Sequence, residues 1–181
     1  DDDEELSGIF HFIEHTLFHS NRFRTAAQIT EDVEDSGDDI DAATDFDSTT
    51  FWVLGKSKYL PRNLRIVYEA VTNFRYNEEE IEKDKGETIS ELKRYIDSPE
   101  KNYIEHLFIP ILLRRTFAER PILGNPKTVR RFNLENLVAF KKKFYVPDNM
   151  MIFISGKFNE GKAMDAIEKT LGRIKKCSLA Q

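Results

Sequence analysis

One cysteine, Cys177, serves the whole 181-residue chain. It can close no internal disulfide and build no thiolate-rich metal cluster. It follows "RIKK" near the C-terminal end with no histidine beside it in sequence, which makes it a poor nucleophile. A chain so short of thiols leans towards a reducing compartment, with cytoplasm favoured and organelle matrix and periplasm both open. No apolar run approaches the roughly 18 to 20 residues of a membrane-spanning helix. With 40% hydrophobic and 33% charged residues, the composition predicts a soluble globular chain with no membrane partner. A net positive charge is also lacking. The net charge is -5 and the chain opens on "DDDEE", which argues against a nucleic-acid partner. The short "KKK" at 141 to 143 reads as the solvated side of a helix. Internal repeats, low-complexity linkers and a targeting segment are all lacking. So is an initiator methionine before Asp1, so the chain reads as a processed product or a fragment.

What is present suffices for one main unit with a hydrophobic core. Apolar residues at 9, 10, 12, 13, 17 and 18 predict a helix over about Gly8 to Ser20. A second helix is expected from about Thr25 to Asp35, stopped by Ser36-Gly37. "IDAATDF" and "TTFWVLG", separated by the turn-prone "DS", read as a β-hairpin. "RNLRIVYEAVTNF" has helical spacing after Pro61. "NEEEIEKDKGETISELKRYID" begins with an asparagine cap and an acidic first turn and runs to Ser98-Pro99. Another helical region follows Pro99 to about Phe117, and "AERPILGNPKTV" reads as a loop. "NLENLVAFKKKFY" is a capped amphipathic helix, "NMMIFISG" a buried strand and "EGKAMDAIEKTLGRI" a last helix. Too few crossover units are present for a doubly wound parallel sheet. The fold class is therefore α+β, with helices packed on a mixed or antiparallel sheet. Three strands make a thin sheet, so further strands are expected upstream of Asp1 or from another chain.

Chemistry concentrates in "HFIEH". At about 100° per residue, Glu14 falls about 300° and His15 about 40° round the helix from His11, so all three point into one sector. Imidazoles at i and i+4 can both reach one zinc ion, with Glu14 beside them, and the order H-x-x-E-H is a zinc-hydrolase signature. A catalytic zinc needs a third protein ligand. His19 lies too far along the same helix, and His106 sits in an apolar stretch and reads as structural. Glu80, Asp84, Glu87 and Glu91 share one face of the long acidic helix. Such a cluster is costly without a cation and favourable beside one.

Together these segments resemble the pitrilysin/insulinase family of inverzincins, which includes the mitochondrial processing peptidase. "GIFHFIEHTLF" is similar to the family core G-x-x-H-F-L-E-H-x-x-F. "AAQITEDVEDSGDDIDAATDFDSTTFW" resembles its next helix, glycine turn and edge strand N-A-x-T-x-x-E-x-T-x-Y. "EIEKDKGETISEL" resembles E-x-E-R-x-x-V-x-x-E, and "RPILGNPKTVRRFNLENLVAFKKKFYVPDNMMIFISGKF" the loop, helix and strand that close the family's first domain. The resemblance implies His11, His15 and Glu91 as ligands of one Zn²⁺ per chain and Glu14 as general base. It implies Asp84, in place of a family glutamate, as a support behind the ligands. Glu87, one turn before Glu91, is the other residue for such a supporting role or for the third ligand.

The same resemblance implies a zinc-dependent endopeptidase that hydrolyses peptides or unfolded polypeptides through a metal-activated water. Peptide would add as a strand along Ala42, Ala43, Thr44, Asp45 and Phe46. Asp41 and Asp47 stand where the family has asparagine and glutamate, and the extra acid at Asp41 favours basic peptides. Residues 1-181 would form a single metallopeptidase domain lacking the family's N-terminal strands and second homologous domain, which a second domain or chain would supply. The rival reading is a non-catalytic structural or substrate-presenting subunit. The intact metal positions favour the enzyme.

Overall fold

The computed structural model describes residues 6–72, 75–101, 104, 108–116 and 119–174. His106 and Cys177 lie outside them. The described helices are α1 (Ile9–His15), α2 (Ala26–Glu34), α3 (Leu60–Thr72), α4 (Glu78–Ile96), α5 (Pro99–Lys101), α6 (Ile109–Leu112), α7 (Pro126–Arg131), α8 (Leu134–Phe144) and α9 (Glu160–Lys169). Between α2 and α3, β1 (Asp39–Thr44) and β2 (Thr49–Leu54) pair as a two-stranded antiparallel sheet. The fold class is α+β, as expected. No described helix is long and apolar enough to cross a membrane.

Local chemistry sets the helix limits. Thr25 and Gln28 form a reciprocal capping box at α2. The Asn77 side chain accepts from Glu79 N at α4, whose first turn carries Glu78, Glu79 and Glu80 and whose last turn carries Lys93 and Arg94. Both charge sets complement the helix dipole. α1 is shorter than expected, because Thr16 turns its backbone N–H (3.0 Å) and its hydroxyl (2.7 Å) onto the Ile13 carbonyl. Among the described residues the expected helix from Pro99 to about Phe117 is helical at 99–101, 104 and 108–112, α5 and α6 included, and turns at 113–116, while the end of the expected loop at 118 to 129 winds into α7 behind an Asn125 capping box.

The chain divides into two compact units. One comprises Asp1–Thr16, Ala42–Thr50 and Asn77–Leu137, the other Leu17–Asp41, Phe51–Tyr76 and Val138–Gln181. In the second unit α3 packs against α9, burying Leu64, Val71, Ala166 and Leu171 against Phe51 and Tyr145, while Ile29, Val33 and Ile66 bury a smaller cluster under Ile40. Arg62 ties this unit together by donating to Asp38, to Ser36 Oγ and to the Asp32 carbonyl. Lys141 corrects the expectation of a solvated lysine run. It is fully buried and donates to the Ala70 carbonyl at 2.7 Å, whereas Lys142 and Lys143 are exposed. Residues 150–156 form no strand ladder among the described residues. Instead of a buried strand they are an open stretch with Met151 78% and Phe153 85% exposed. A strand is completed by its neighbours, and the sheet that would flank this segment is not among the described residues.

In the first unit α1 packs against α4, and α4 against α7. Phe12 and Ile13 are fully buried, and the Phe12 and Phe132 rings lie 5.2 Å apart. Burial of two such side chains contributes about 1.5–3 kcal/mol each. A seven-residue helix has little stability of its own, so this packing holds it. Its start is fixed by a close crossing of two backbones. Gly8 (φ 87°) and Gly124 (φ 69°) both adopt left-handed conformations, and a Cβ on Gly8 would come within 2.7 Å of the Leu123 carbonyl oxygen. Thr128 Oγ1 donates to the Ser7 carbonyl at 2.9 Å across the same contact.

Candidate metal centre

α1 buries Ile9, His11, Phe12 and Ile13 and leaves Glu14 and His15 half-buried, with both histidines against Glu91 of α4. Along α4 the buried line is Ile81, Asp84, Thr88 and Leu92, and Glu91 borders it. His11 Nε2 lies 3.6 Å and His15 Nε2 3.2 Å from Glu91 Oε2, and the two imidazoles meet edge to face at 4.7 Å. One ligand atom from each of His11, His15 and Glu91 lies within 4.8 Å of the others. Four-coordinate zinc with bonds of about 2.0–2.2 Å separates its ligand atoms by about 3.3 Å, so this spacing fits the ion. Two imidazole nitrogens and a carboxylate oxygen are also a donor set that zinc accepts.

The electrostatics agree with that fit. Burial, reinforced by the nearby His15, pushes His11 down to about 4, so its imidazole is neutral and able to ligate. The hydrogen bond to Glu91 raises His15, and the same bond holds Glu91 below the ordinary carboxylate value. His15 Nε2 and Glu91 Oε2 stand 3.2 Å apart, at the place where a cation would lie between them.

Asp84, 5% exposed, lies two turns before Glu91, and its charge adds to the rise at His15. Glu87 is not in the cluster. Its side chain is 55% exposed and pairs with Lys83 at 3.4 Å. It shares the general side of α4 but sits about 40° further from the buried line than Glu91. His19 is also outside the cluster. In β1, Ala42 and Thr44 face inward and Ala43 outward. Asp45 and Phe46 are not strand residues. Asp45 N donates to the Ser48 carbonyl, and Phe46 N to the Asp45 side chain, so both belong to the hairpin turn. Sequence reasoning missed one contact, the hydrogen bond that Thr44 Oγ1 donates to Glu14 Oε2. The two residues stand 30 apart in the chain, each inside a recognised motif that gives no sign of the other.

Comparison with known proteins finds matching family models, relatives and solved structures. Residues 1–125 match the family model described as insulinase (peptidase family M16), and residues 131–178 match the one described as peptidase M16 inactive domain. An uncharacterised zinc protease of Rickettsia felis is 27% identical over 174 residues, 96% of this chain and 42% of its own length. One from Bacillus subtilis is 27% identical over 93% of this chain and 41% of its own length. Among solved structures, a protease from Helicobacter pylori aligns over 98% of this chain and 43% of its own, with a TM-score of 0.88 at 20% identity. A putative M16-like peptidase from Alicyclobacillus acidocaldarius aligns over 94% of this chain and 39% of its own, with a TM-score of 0.80 at 24% identity. At these identities the structures establish the fold. The chain spans about two-fifths of the length of the curated relatives it matches.

Proposed function

Since the chain belongs to the insulinase family, peptidase family M16, we propose that it carries the metal-binding half-site of a zinc-dependent endopeptidase acting on peptides or unfolded polypeptides. The observation that carries this reading is the convergence of His11, His15 and Glu91 on one point, with Glu14 on the same helix. His11, His15 and Glu91 would hold one zinc ion. When bound, zinc supplies Lewis acidity, which acidifies water and polarises the scissile carbonyl. Glu14 takes up the proton of the attacking water at its carboxylate and delivers it to the leaving amine. Asp84 keeps negative charge behind His15 and favours its orientation towards the ion. The outer edge of β1 at Ala42 to Thr44 receives the peptide as an added strand, which supplies backbone hydrogen bonds and orients the scissile bond. A second homologous domain or chain completes the enclosure, in keeping with the chain's share of its relatives' length.

The test is metal content together with cleavage of an unstructured peptide by the full-length protein. Wild type is expected to hold one zinc per chain and to cleave. His15→Ala should lose both, and Glu14→Gln should keep zinc while turnover falls by at least about a hundredfold. Zinc without cleavage in the complete wild-type assembly would favour a non-catalytic, substrate-presenting subunit, and absence of zinc would end the metallopeptidase reading.

A further inference from the structure

A glutamate on a two-turn helix has three side-chain torsions, and a proton acceptor is effective only when its oxygen is held in place. The fold supplies such a hold from a different element. Thr44 ends β1 and Thr49 begins β2, and their hydroxyl oxygens lie 3.4 Å apart across the mouth of the hairpin, closed by the 2.8 Å hydrogen bond from Asp45 N to the Ser48 carbonyl. Thr44 Oγ1 also reaches Glu14 Oε2. A hydroxyl has one proton to give. Thr44 spends it on the carboxylate, so the contact between the threonines runs from Thr49 as donor to Thr44 as acceptor. Both are β-branched and stiff at χ1, and both sit on strand positions that face inward. Together they form a short relay anchored in paired backbone, with Glu14 at its end.

We propose that Thr44, backed by Thr49, is the positioning residue for Glu14. It engages one carboxylate oxygen, Oε2, and ties the orientation of the base to the strand on which peptide docks. This inference rests on the proposed role of Glu14 as proton acceptor. It assigns to the Thr44 side chain a task separate from backbone pairing with substrate.

The test compares Thr44→Val, Thr44→Ser and Thr49→Val in the full-length zinc-loaded protein, with zinc content and Tm measured on the same samples. In Thr44→Val, kcat is expected to fall about tenfold to a hundredfold with KM nearly unchanged. Zinc content should match wild type. Thr44→Ser should restore most of the rate, and Thr49→Val should show a smaller loss. A second readout needs no turnover: the carbon-13 signal of the Glu14 carboxylate in the metal-free chain, identified by its absence in Glu14→Gln. It should move in Thr44→Val and hold in Thr44→Ser. The proposal is overturned by a rise in KM at constant kcat, which would place Thr44 on the substrate. Serine as damaging as valine would also overturn it, since that indicates a packing role for the methyl group, as would an unmoved carboxylate signal in Thr44→Val. If wild type binds zinc but never turns over, the hydrolytic reading fails, and the carboxylate signal alone decides whether Thr44 holds Glu14.

Discussion

Lys141 ends its side chain at the Ala70 carbonyl with no exposed surface, and burial pushes its amine down to about 7. The unfolded chain keeps that proton up to about pH 10.4. Between those values the unfolded state binds more protons than the folded one, so stability rises with pH from about 7 upward; below 7 the full cost of burying the ammonium applies. In urea titrations the wild-type midpoint should therefore climb from pH 7 to pH 9 relative to that of Lys141→Met. Parallel curves would show that Lys141 is not titrating in the fold. Gly8 gives a sharper residue-scale prediction. Alanine there would occupy a left-handed conformation and press on the Leu123 carbonyl, costing at least about 1–3 kcal/mol. Tm and zinc content should fall together, because the same crossing starts the helix that carries both histidines. A variant that keeps its zinc while losing Tm would separate the two.

The secondary elements differ in how much of themselves they write into sequence. α4 was legible at both ends, because an asparagine cap, an acidic first turn and the Ser98-Pro99 stop act within a few residues. Its interior holds one weak position, Gly86, where a Cβ would meet nothing. Gly86→Ala should raise stability by about 0.5–1 kcal/mol without altering zinc content; a loss would point to a close neighbour of α4 in the full-length protein. The pairing of His11 with His15 was legible for the same local reason, since i, i+4 spacing puts two imidazoles on one side of a helix. Which acid of α4 joins them was not, because the 40° between Glu87 and Glu91 matters only once the packed face is known. Lys141 was missed because composition reads "KKK" as a unit, whereas the i, i+4 line from the buried Leu137 selects its first member alone. Residues 150–156 were read as a strand from their apolar content, and they lack one here because a ladder needs a partner that a lone segment cannot provide.

Taken whole, the chain is about two-fifths of its curated relatives and leaves Met151 and Phe153 largely exposed on an open stretch. Met150 and Ile154 pack on the core of the second unit, but an extended apolar segment with no paired strand among the described residues invites strand addition from other copies. Residues 1–181 expressed alone should self-associate with rising concentration in analytical ultracentrifugation, and Phe153→Lys should reduce this. A wild-type fragment that stays monomeric throughout would show that the exposed segment is inert. The backbone crossing at Gly8 bears on biosynthesis. The Thr128 hydroxyl that closes it meets a carbonyl 121 residues earlier in the chain, and chains emerge from the ribosome N-terminus first. The two histidines are synthesised before Asn125 to Arg131, yet the crossing that starts their helix waits for that later segment. On the proposed metal reading, ion capture by this cluster is therefore a late event in the life of the nascent chain, and a metal offered earlier meets imidazoles that the crossing does not yet hold together.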